Sequence, residues 1–257
     1  MIDAHAHLSD PRIVTNAEQM VTRLQALGLK HLVLGGVDPI EWKCQELLKA
    51  KWPLLVTKVV GIHPWTVRDH DEASLEKMFS ILRTEINFAE ALGELGLDFY
   101  PKRLPEQVEK QSKWCLRQLE LAKSVGKPVV LHVVRGHDVM QSLLKTVALP
   151  RGMIHGFKGS GEVAKFYLER GYILSLGSRS FHGASSEDYR WLPKDGFVLE
   201  SDAPPYKGEV TKFDTLAVDW IQGLDECAEF LAKLWSTSKE EVWTLAKANL
   251  SQLFPGL

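Results

Sequence analysis

Histidines and carboxylates stand at the ends of several short apolar segments, where their side chains could bind metal ions. The first of these segments, near the N-terminus, carries Asp3-Ala-His5-Ala-His7. Alternate residues of a strand point to the same side, so His5 and His7 can reach one ion. A His-x-His pair alone is weak evidence for a metal site, and the later segments strengthen it.

The other candidate ligands are placed in the same way. Glu94 lies in an apolar segment flanked by glycines, where a carboxylate is costly to bury unless it is paired or bound to a metal. Any one candidate alone could be an ordinary buried polar residue. Together they supply four imidazoles and two carboxylates, which suit a pair of divalent ions such as Zn²⁺ or Mn²⁺. The six candidates are His5, His7, Glu94, His132, His155 and Asp202.

Eight short apolar segments that alternate with helical patterns would position these residues. Several are continuous apolar runs, which is typical of parallel strands covered on both faces. Strands are predicted at 2–5, 31–37, 54–62, 89–97, 129–134, 153–155, 172–176 and 197–200. Helical periodicity and capping residues predict helices at 16–27, 39–50, 106–125, 162–170 and 239–253. Residues 204–219, rich in charge and turn formers, are predicted to be a loop.

Strand–helix alternation with eight repeats predicts an α/β fold, a single-domain (β/α)8 TIM barrel over residues 1–257. A doubly wound open sheet is the alternative. In a barrel the carboxyl ends of all strands meet at one face, and active sites form there. The six candidates follow strand ends, so we expect them to share that face.

Charge and composition exclude other functions. The chain has 31 Lys and Arg against 33 Asp and Glu, a formal net charge of −2. A protein that holds duplex nucleic acid over its whole surface is basic, so a polyanion would need a local basic groove or metal ions. No segment approaches the ~18 consecutive apolar residues of a membrane helix. The three cysteines form no Cys-x-x-Cys pair, and we expect a cytoplasmic protein, with a monomer favoured.

The combination of motifs resembles the TatD family of metal-dependent hydrolases, which are (β/α)8 barrels of the amidohydrolase-like superfamily. The motifs lie between residues 1 and 205: Asp-x-His-x-His, Gly-x-His-Pro, Gly-Glu-x-Gly-Leu-Asp, a strand-ending His, His-Gly-Phe-x-Gly-Ser and Glu-Ser-Asp-Ala-Pro. The resemblance implies that the six candidates hold two divalent ions (Zn²⁺, Mn²⁺ or Mg²⁺), bridged by Glu94. It also implies DNase activity, often 3′–5′ on single strands, or the removal of D-amino acids from tRNA.

Roles for the candidates follow from their chemistry. Asp202 is predicted to orient the attacking water and to accept its proton as a general base. The more buried ion is expected to bind His5, His7, Glu94 and Asp202. The second ion would share Glu94 and add His132 and His155. His63 matches a family site residue and is expected to contact substrate or phosphate, a turn cap being the alternative.

Other residues have less defined roles. Asp98 is expected either to support a histidine or to cap a turn, and Asp3 either to orient its loop or to assist the site. Gln111 and Gln118 match a family pattern, but helix surface or packing is the favoured interpretation.

Three departures from the family leave the substrate less defined than the reaction. Val134 stands where relatives carry Arg, and Lys158 stands where they carry Ser. Residues 205–213 lack an Arg-Asn-x-Pro-like element. Lys158 could supply a substrate-binding cation or simply be solvated.

The sequence therefore predicts a dinuclear metal-dependent hydrolase, with DNA ends or another phosphodiester as the favoured substrate. One alternative keeps the metals and cleaves an ester or amide, including D-aminoacyl-tRNA. The other is a non-catalytic metal-binding scaffold protein. Retention of all six ligands argues against the scaffold, because binding alone does not require Asp202 beside the ions.

Overall fold

The apolar segments form a parallel barrel in the computed structural model, which describes residues 1–147, 151–205, 210 and 212–255. Its strands are β1 Ile2–Ala6, β2 His31–Leu34, β3 Val56–Thr57, β4 Val59–Val60, β5 Ala91–Asp98, β6 Val129–Val134, β7 Gly152–His155, β8 Ile173–Leu176 and β9 Phe197–Leu199. Each strand pairs in parallel with the next in two ladders, β1–β3 and β4–β9. Because β3 and β4 are halves of one predicted strand, the strands occupy eight positions.

Backbone hydrogen bonds beyond the end of β9 close the barrel. The Asp202 N–H donates to the His5 carbonyl at 3.0 Å, and the His7 N–H donates to the Ala203 carbonyl at 2.7 Å. These bonds join the last strand position to the first, which an open sheet would not do. The predicted (β/α)8 barrel is confirmed, and the open-sheet alternative is wrong.

Helices connect the strands and cover the outside of the barrel. They are α1 Ala17–Ala26, α2 Pro39–Lys51, α3 Pro64–Asp69, α4 Glu72–Glu85, α5 Pro105–Val125, α6 His137–Thr146, α7 Gly161–Leu168, α8 Ser178–Phe181, α9 Phe213–Trp235 and α10 Lys239–Leu253. The predicted caps form at Asp38, Ser160 and Ser238, whose side chains accept N–H groups of the first turn. No helix in the described ranges has both the length and the apolar composition to cross a membrane.

The prediction of one strand over 54–62 is wrong, because the strand is broken at Lys58. The Lys58 N–H donates to a carboxylate oxygen of Glu90 at 2.8 Å, and the Val59 N–H donates to the Gln45 side chain at 3.0 Å. These side chains take the place of ladder partners, so β3 pairs with β2 while β4 pairs with β5.

The predicted loop 204–219 is also partly wrong, because α9 begins at Phe213. Apolar residues at helical spacing, from Ala217 through Trp220 and Ile221 to Leu224, pack into the core. The charged residues Asp214 and Asp219 lie on the exposed side of this helix. Residues 206–209 and 211, which include most of the segment without the Arg-Asn-x-Pro-like element, lie outside the described residues.

Two glutamines of α5 fix the chain where strands end. The Gln118 amide accepts the Ile62 N–H at 2.8 Å and donates to the Ile62 carbonyl at 3.0 Å. Gln111 does the same with Asp98, at 2.7 and 3.0 Å. Both side chains are buried, so the interpretation as helix surface is wrong. Their paired hydrogen bonds satisfy backbone groups that no neighbouring strand reaches.

Asp3 ties the first strand to the chain that follows the last one. Its Oδ1 accepts the N–H groups of His5 (3.1 Å) and Ser201 (3.0 Å). Its Oδ2 accepts the Ser201 hydroxyl and the Trp220 indole N–H, each at 2.6 Å. Burial raises the pKa of the Asp3 carboxyl to about 7, and the four donors limit this rise because they favour the charged form. Of the two roles expected for Asp3, the structure shows the structural one.

We predict that Asp3→Asn destabilises the barrel. An amide offers one acceptor oxygen, and its NH₂ group faces donors where the second oxygen was, so buried donors lose their partner. We expect the free energy of unfolding to fall by about 2–4 kcal/mol, measured by urea denaturation. Asp219→Asn, at an exposed position, is the matched control. Equal unfolding midpoints for the two variants would contradict this role.

Candidate metal centre

The six candidates converge at the carboxyl-terminal mouth of the barrel around Glu94, which is 1% exposed. Its Oε1 lies 3.3 Å from Nε2 of His5 and 3.1 Å from Nε2 of His155. Its Oε2 lies 3.4 Å from Nε2 of His7, and that nitrogen lies 3.5 Å from Oδ1 of Asp202. His132 completes the set, with Nδ1 3.7 Å from Oε1 of Glu94. We call these six residues the cluster.

Several spacings in the cluster fit ligands around a cation, whereas Nδ1 of His132 and Nε2 of His155 lie at hydrogen-bond distance, 2.8 Å apart. Two atoms bound tetrahedrally at about 2.1 Å from one Zn²⁺ lie about 3.4 Å apart, whereas a direct N–H···O bond is shorter. Three overlapping groups have ligand atoms within 4.8 Å of one another: His5, His7 and Glu94; His5, His155 and Asp202; His63, Glu94 and His132. Both ring nitrogens of His5 and Oε2 of Glu94 are buried without a hydrogen-bond partner among the described residues. Buried polar atoms of this kind are costly, and a metal ion would satisfy them.

Glycine leaves the space that the histidine rings occupy. Gly35 follows β2, and a Cβ added there would lie 2.5 Å from Cε1 of His7 and 2.9 Å from Cε1 of His5. Any larger residue would push the two rings away from Glu94. Sequence reasoning missed this requirement because it depends on contact between two different strands.

Buried carboxylates face two of the histidines, on the ring nitrogen that is not directed at Glu94. Oδ2 of Asp98 lies 3.2 Å from Nε2 of His132 and also accepts the Trp65 indole N–H at 2.6 Å. Asp98 therefore supports a histidine, and its Oδ1 also caps the turn by accepting the Tyr100 N–H at 2.8 Å, so it has both expected roles. A hydrogen-bonded partner of this kind holds a metal-binding imidazole in its ring orientation. Glu200 places a carboxylate behind His155, but its Oε1 lies 3.7 Å from Nδ1 of His155, which is beyond hydrogen-bond distance, so it acts on this ring through its charge.

Glu200 was missed at the level of sequence, although a signal was present. It ends the apolar segment before Asp202, as Glu94 interrupts its own segment, and it is 2% exposed. Its Oε1 also accepts the Gly156 N–H at 2.7 Å, which fixes the carboxylate next to the turn after β7. A carboxylate so deeply buried signals a nearby positive charge.

His63 lies inside the cluster and also caps a helix. Its Nδ1 accepts the Trp65 N–H at the start of α3 at 3.0 Å. Its Nε2 lies 3.3 Å from Nδ1 of His132 and 3.8 Å from Oε1 of Glu94. The ring is 3% exposed, so any substrate contact by His63 would be at the bottom of the mouth. The substrate-binding role itself stays a prediction.

Lys158 is not brought into the cluster. It is exposed on the loop after β7, and within the described ranges its ammonium makes no ion pair or hydrogen bond with another side chain. A different cation reaches the cluster: Nη1 of Arg179, on α8, donates to Oδ2 of Asp202 at 2.9 Å. Sequence reasoning did not single out Arg179, because nothing local distinguishes it from other surface arginines.

The charges of the cluster shift the pKa values of its members. Burial alone would raise the pKa of Glu94, but the positive charges of His5, His155 and His7 outweigh it and hold this pKa well below its usual range. For His7, burial acts in the opposite direction to the Glu94 and Asp202 carboxylates, which together raise its pKa to about 9. The pKa of His155 is likewise raised against the effect of burial, by Glu94 and Glu200. Without a metal, protons on His7 and His155 balance the negative charge of the buried carboxylate. A divalent cation would replace these protons.

Comparisons with known proteins agree with this geometry. The model of the family described as TatD related DNase matches residues 2–255. A protein of Escherichia coli named as the uncharacterized metal-dependent hydrolase YjjV is 31% identical over 79% of each chain. The chain belongs to the TatD-related DNase family. It is thus a member of a family of metal-dependent hydrolases, and the resemblance stated from its motifs is confirmed.

One further relative and one solved structure are informative for this TatD-family chain. The human protein named deoxyribonuclease TATDN3 is 26% identical over 100% of this chain and 95% of its own length. The crystal structure of E. coli YjjV superposes with a TM-score of 0.80, covering 99% of this chain and 97% of the other at 24% identity. The structural likeness supports the barrel fold.

We predict that metal binding releases protons and tightens as the pH rises. His7, with a pKa of about 9, and His155 hold protons at neutral pH without metal, and both must lose them to become ligands. Zn²⁺ affinity should therefore increase from pH 6 to pH 8. Calorimetric titration of the chelator-treated protein, in two buffers of different ionisation enthalpy, measures both effects. Heats independent of the buffer and an affinity independent of pH would contradict the prediction.

We also predict that Glu200→Gln weakens metal binding by roughly 10–100-fold. The amide is the same size, but it lacks the negative charge that faces Nδ1 of His155. Competition with a chromogenic chelator measures the affinity. Glu169→Gln, at an exposed position, is the control. The role is excluded if both variants keep the native affinity.

Proposed function

We propose that this chain is a dinuclear metal-dependent phosphodiesterase, a deoxyribonuclease that removes nucleotides 3′–5′ from single-stranded DNA. The observation that carries the proposal is the cluster at the barrel mouth, in which four imidazoles and the Asp202 carboxylate surround the buried Glu94. A relative named as a deoxyribonuclease supports the choice of substrate. We further propose that residues 1–257 work as one barrel.

Glu94 is the proposed bridge between the two ions, because its two oxygens face different histidines. One site would use His5, His7 and Glu94, with Asp202 at its open side. The second would use Glu94, His132 and His155. His63, near both Glu94 and His132, is placed to join the second site or to contact the bound phosphate. The ions, when bound, would supply Lewis acidity that polarises the phosphate and favours deprotonation of water.

Asp202 is the proposed general base because of its position. Its side chain is 25% exposed, whereas that of Glu94 is 2% exposed, so Asp202 can meet solvent and substrate at the mouth. Burial would raise its pKa, but the His7 hydrogen bond and the charge of His155 outweigh this and hold the pKa below its usual range. The carboxylate is therefore ionised at neutral pH and able to accept a proton from water.

Hydrolysis of an ester such as D-aminoacyl-tRNA is the second candidate. It would use the same ions and the same base, with attack on a carbonyl carbon. The observation that favours it is Val134, an apolar residue where the resemblance places a cation in family members, together with the exposure of Lys158 to solvent. For either substrate we propose a cytoplasmic monomer, supported by the free thiols of Cys44, Cys115 and Cys227.

The test is nucleotide release from end-labelled single-stranded DNA with added Mg²⁺, Mn²⁺ or Zn²⁺. We expect the native protein to release labelled nucleotides and Asp202→Asn to be slower by about 10²–10⁴-fold, because proton transfer to a base contributes that much. Asp195→Asn, exposed and away from the cluster, should match the native rate. Chelator should abolish release, and metal content is measured for each sample.

Two outcomes would contradict parts of this proposal. An Asp202→Asn rate equal to the native rate excludes the base role. No release by a native sample that holds about two metals per chain excludes DNA cleavage and makes aminoacyl-tRNA the next substrate. Release that begins at the 5′ end would reverse the proposed polarity.

A further inference from the structure

An exposed arginine crosses the mouth of the metal cluster. Arg179 lies on the short helix α8 that follows β8, and its Nη1 donates to Oδ2 of Asp202 at 2.9 Å. Its side chain is 68% exposed, against 25% for Asp202. The guanidinium therefore lies at the solvent side of Asp202, at the rim of the cluster.

A contribution of the Asp202 ion pair to the stability of the fold does not account for the presence of Arg179 here. Pairs with this much solvent exposure contribute little, since water screens the charges and the long side chain loses freedom. A guanidinium carries five N–H donors, and the pair with Asp202 is made through one nitrogen. The remaining donors are available to a second anion. Arginine donors match two oxygens of a phosphate at once.

The backbone beneath Arg179 is firmly held. The hydroxyl of the neighbouring Ser180 donates to the Phe157 carbonyl at 2.8 Å, and the Ser180 side chain is buried. The Tyr189 hydroxyl donates to the Ser180 carbonyl. These bonds join the turns after β7 and β8 and fix the backbone next to Arg179 relative to the cluster.

Charge also favours an anion at this point. Glu94 and Asp202 place two carboxylates at the mouth, and two divalent ions held by the cluster would more than offset these negative charges. Val134, at the end of β6, offers no charge. Arg179 provides a cation next to Asp202, the carboxylate proposed as the base.

We propose that Arg179 binds a non-bridging oxygen of the substrate phosphate and thereby selects phosphodiesters over uncharged esters. The inference rests on the proposed function, since it concerns the substrate of the same site. On binding, the guanidinium keeps its bond to Asp202 or shares it with the phosphate, which aligns the phosphate with the base. Lysine would supply the charge without the two-oxygen geometry.

The test measures the affinity of the metal-loaded protein for thymidine 5′-monophosphate by calorimetry. We expect Arg179→Gln to weaken nucleotide binding about tenfold or more, as loss of a charge-assisted hydrogen bond does. The affinity of Arg179→Lys should lie between those of the native protein and Arg179→Gln. Arg151→Gln is the matched control, because Arg151 is exposed at the start of β7, on the opposite face of the barrel. Its affinity should stay within twofold of native.

Metal affinity, measured in the same variants, separates substrate binding from positioning of Asp202. If Arg179→Gln lowers metal loading in proportion to nucleotide affinity, Arg179 acts through Asp202 and the inference is overturned. It is also overturned if the native protein does not bind the nucleotide, or if the variant binds it within twofold of native.

Cleavage of a thymidine dinucleotide by the native protein is measured alongside and judges the proposed function separately. Absence of cleavage despite Arg179-dependent nucleotide binding would contradict the phosphodiesterase and leave the phosphate contact standing. If the native protein cleaves the dinucleotide but Arg179→Gln keeps the native nucleotide affinity, the phosphodiesterase stands and the phosphate contact is contradicted.

Discussion

A charged carboxylate inside the mouth of the barrel is the constraint on which the site depends. Burying an ionised glutamate is costly unless positive charge surrounds it, and Glu94 is enclosed by imidazoles at 3.1–3.4 Å. Those imidazoles must in turn be neutral to bind a metal, so the cation itself completes the charge balance. Three residues serve the same arrangement: Gly35 leaves space, Asp98 orients the ring of His132, and Glu200 places a negative charge behind His155.

Closure of the barrel and assembly of the site use the same stretch of chain. The Asp202 N–H and the His5 carbonyl are hydrogen-bonded across the seam, while the side chains of both residues belong to the cluster. Asp3 holds this seam from below through Ser201 and Trp220. The two histidines of β1 can therefore meet Asp202 only in a closed barrel, which links metal binding to folding.

Solvent exposure divides the site by depth. Glu94 and His63 are almost fully buried, Asp202 is partly exposed, and Arg179 extends into solvent. Groups at the bottom are suited to holding ions, because water there would weaken their electrostatics. Groups nearer the rim can exchange protons with water or meet a substrate. This gradient assigns different chemistry to side chains that lie only a few ångströms apart.

The sequence by itself determined the barrel and the six residues of the cluster, because strand alternation and polar residues at strand ends are local patterns. Tertiary structure alone decided the break at Lys58 and the backbone bonds of Gln118, since their partners lie far away in the chain. It also decided that His63 lies inside the cluster and that Arg179 reaches Asp202. A local pattern can place a side chain at a strand end, but which side chains meet across the mouth depends on how all eight strand positions close.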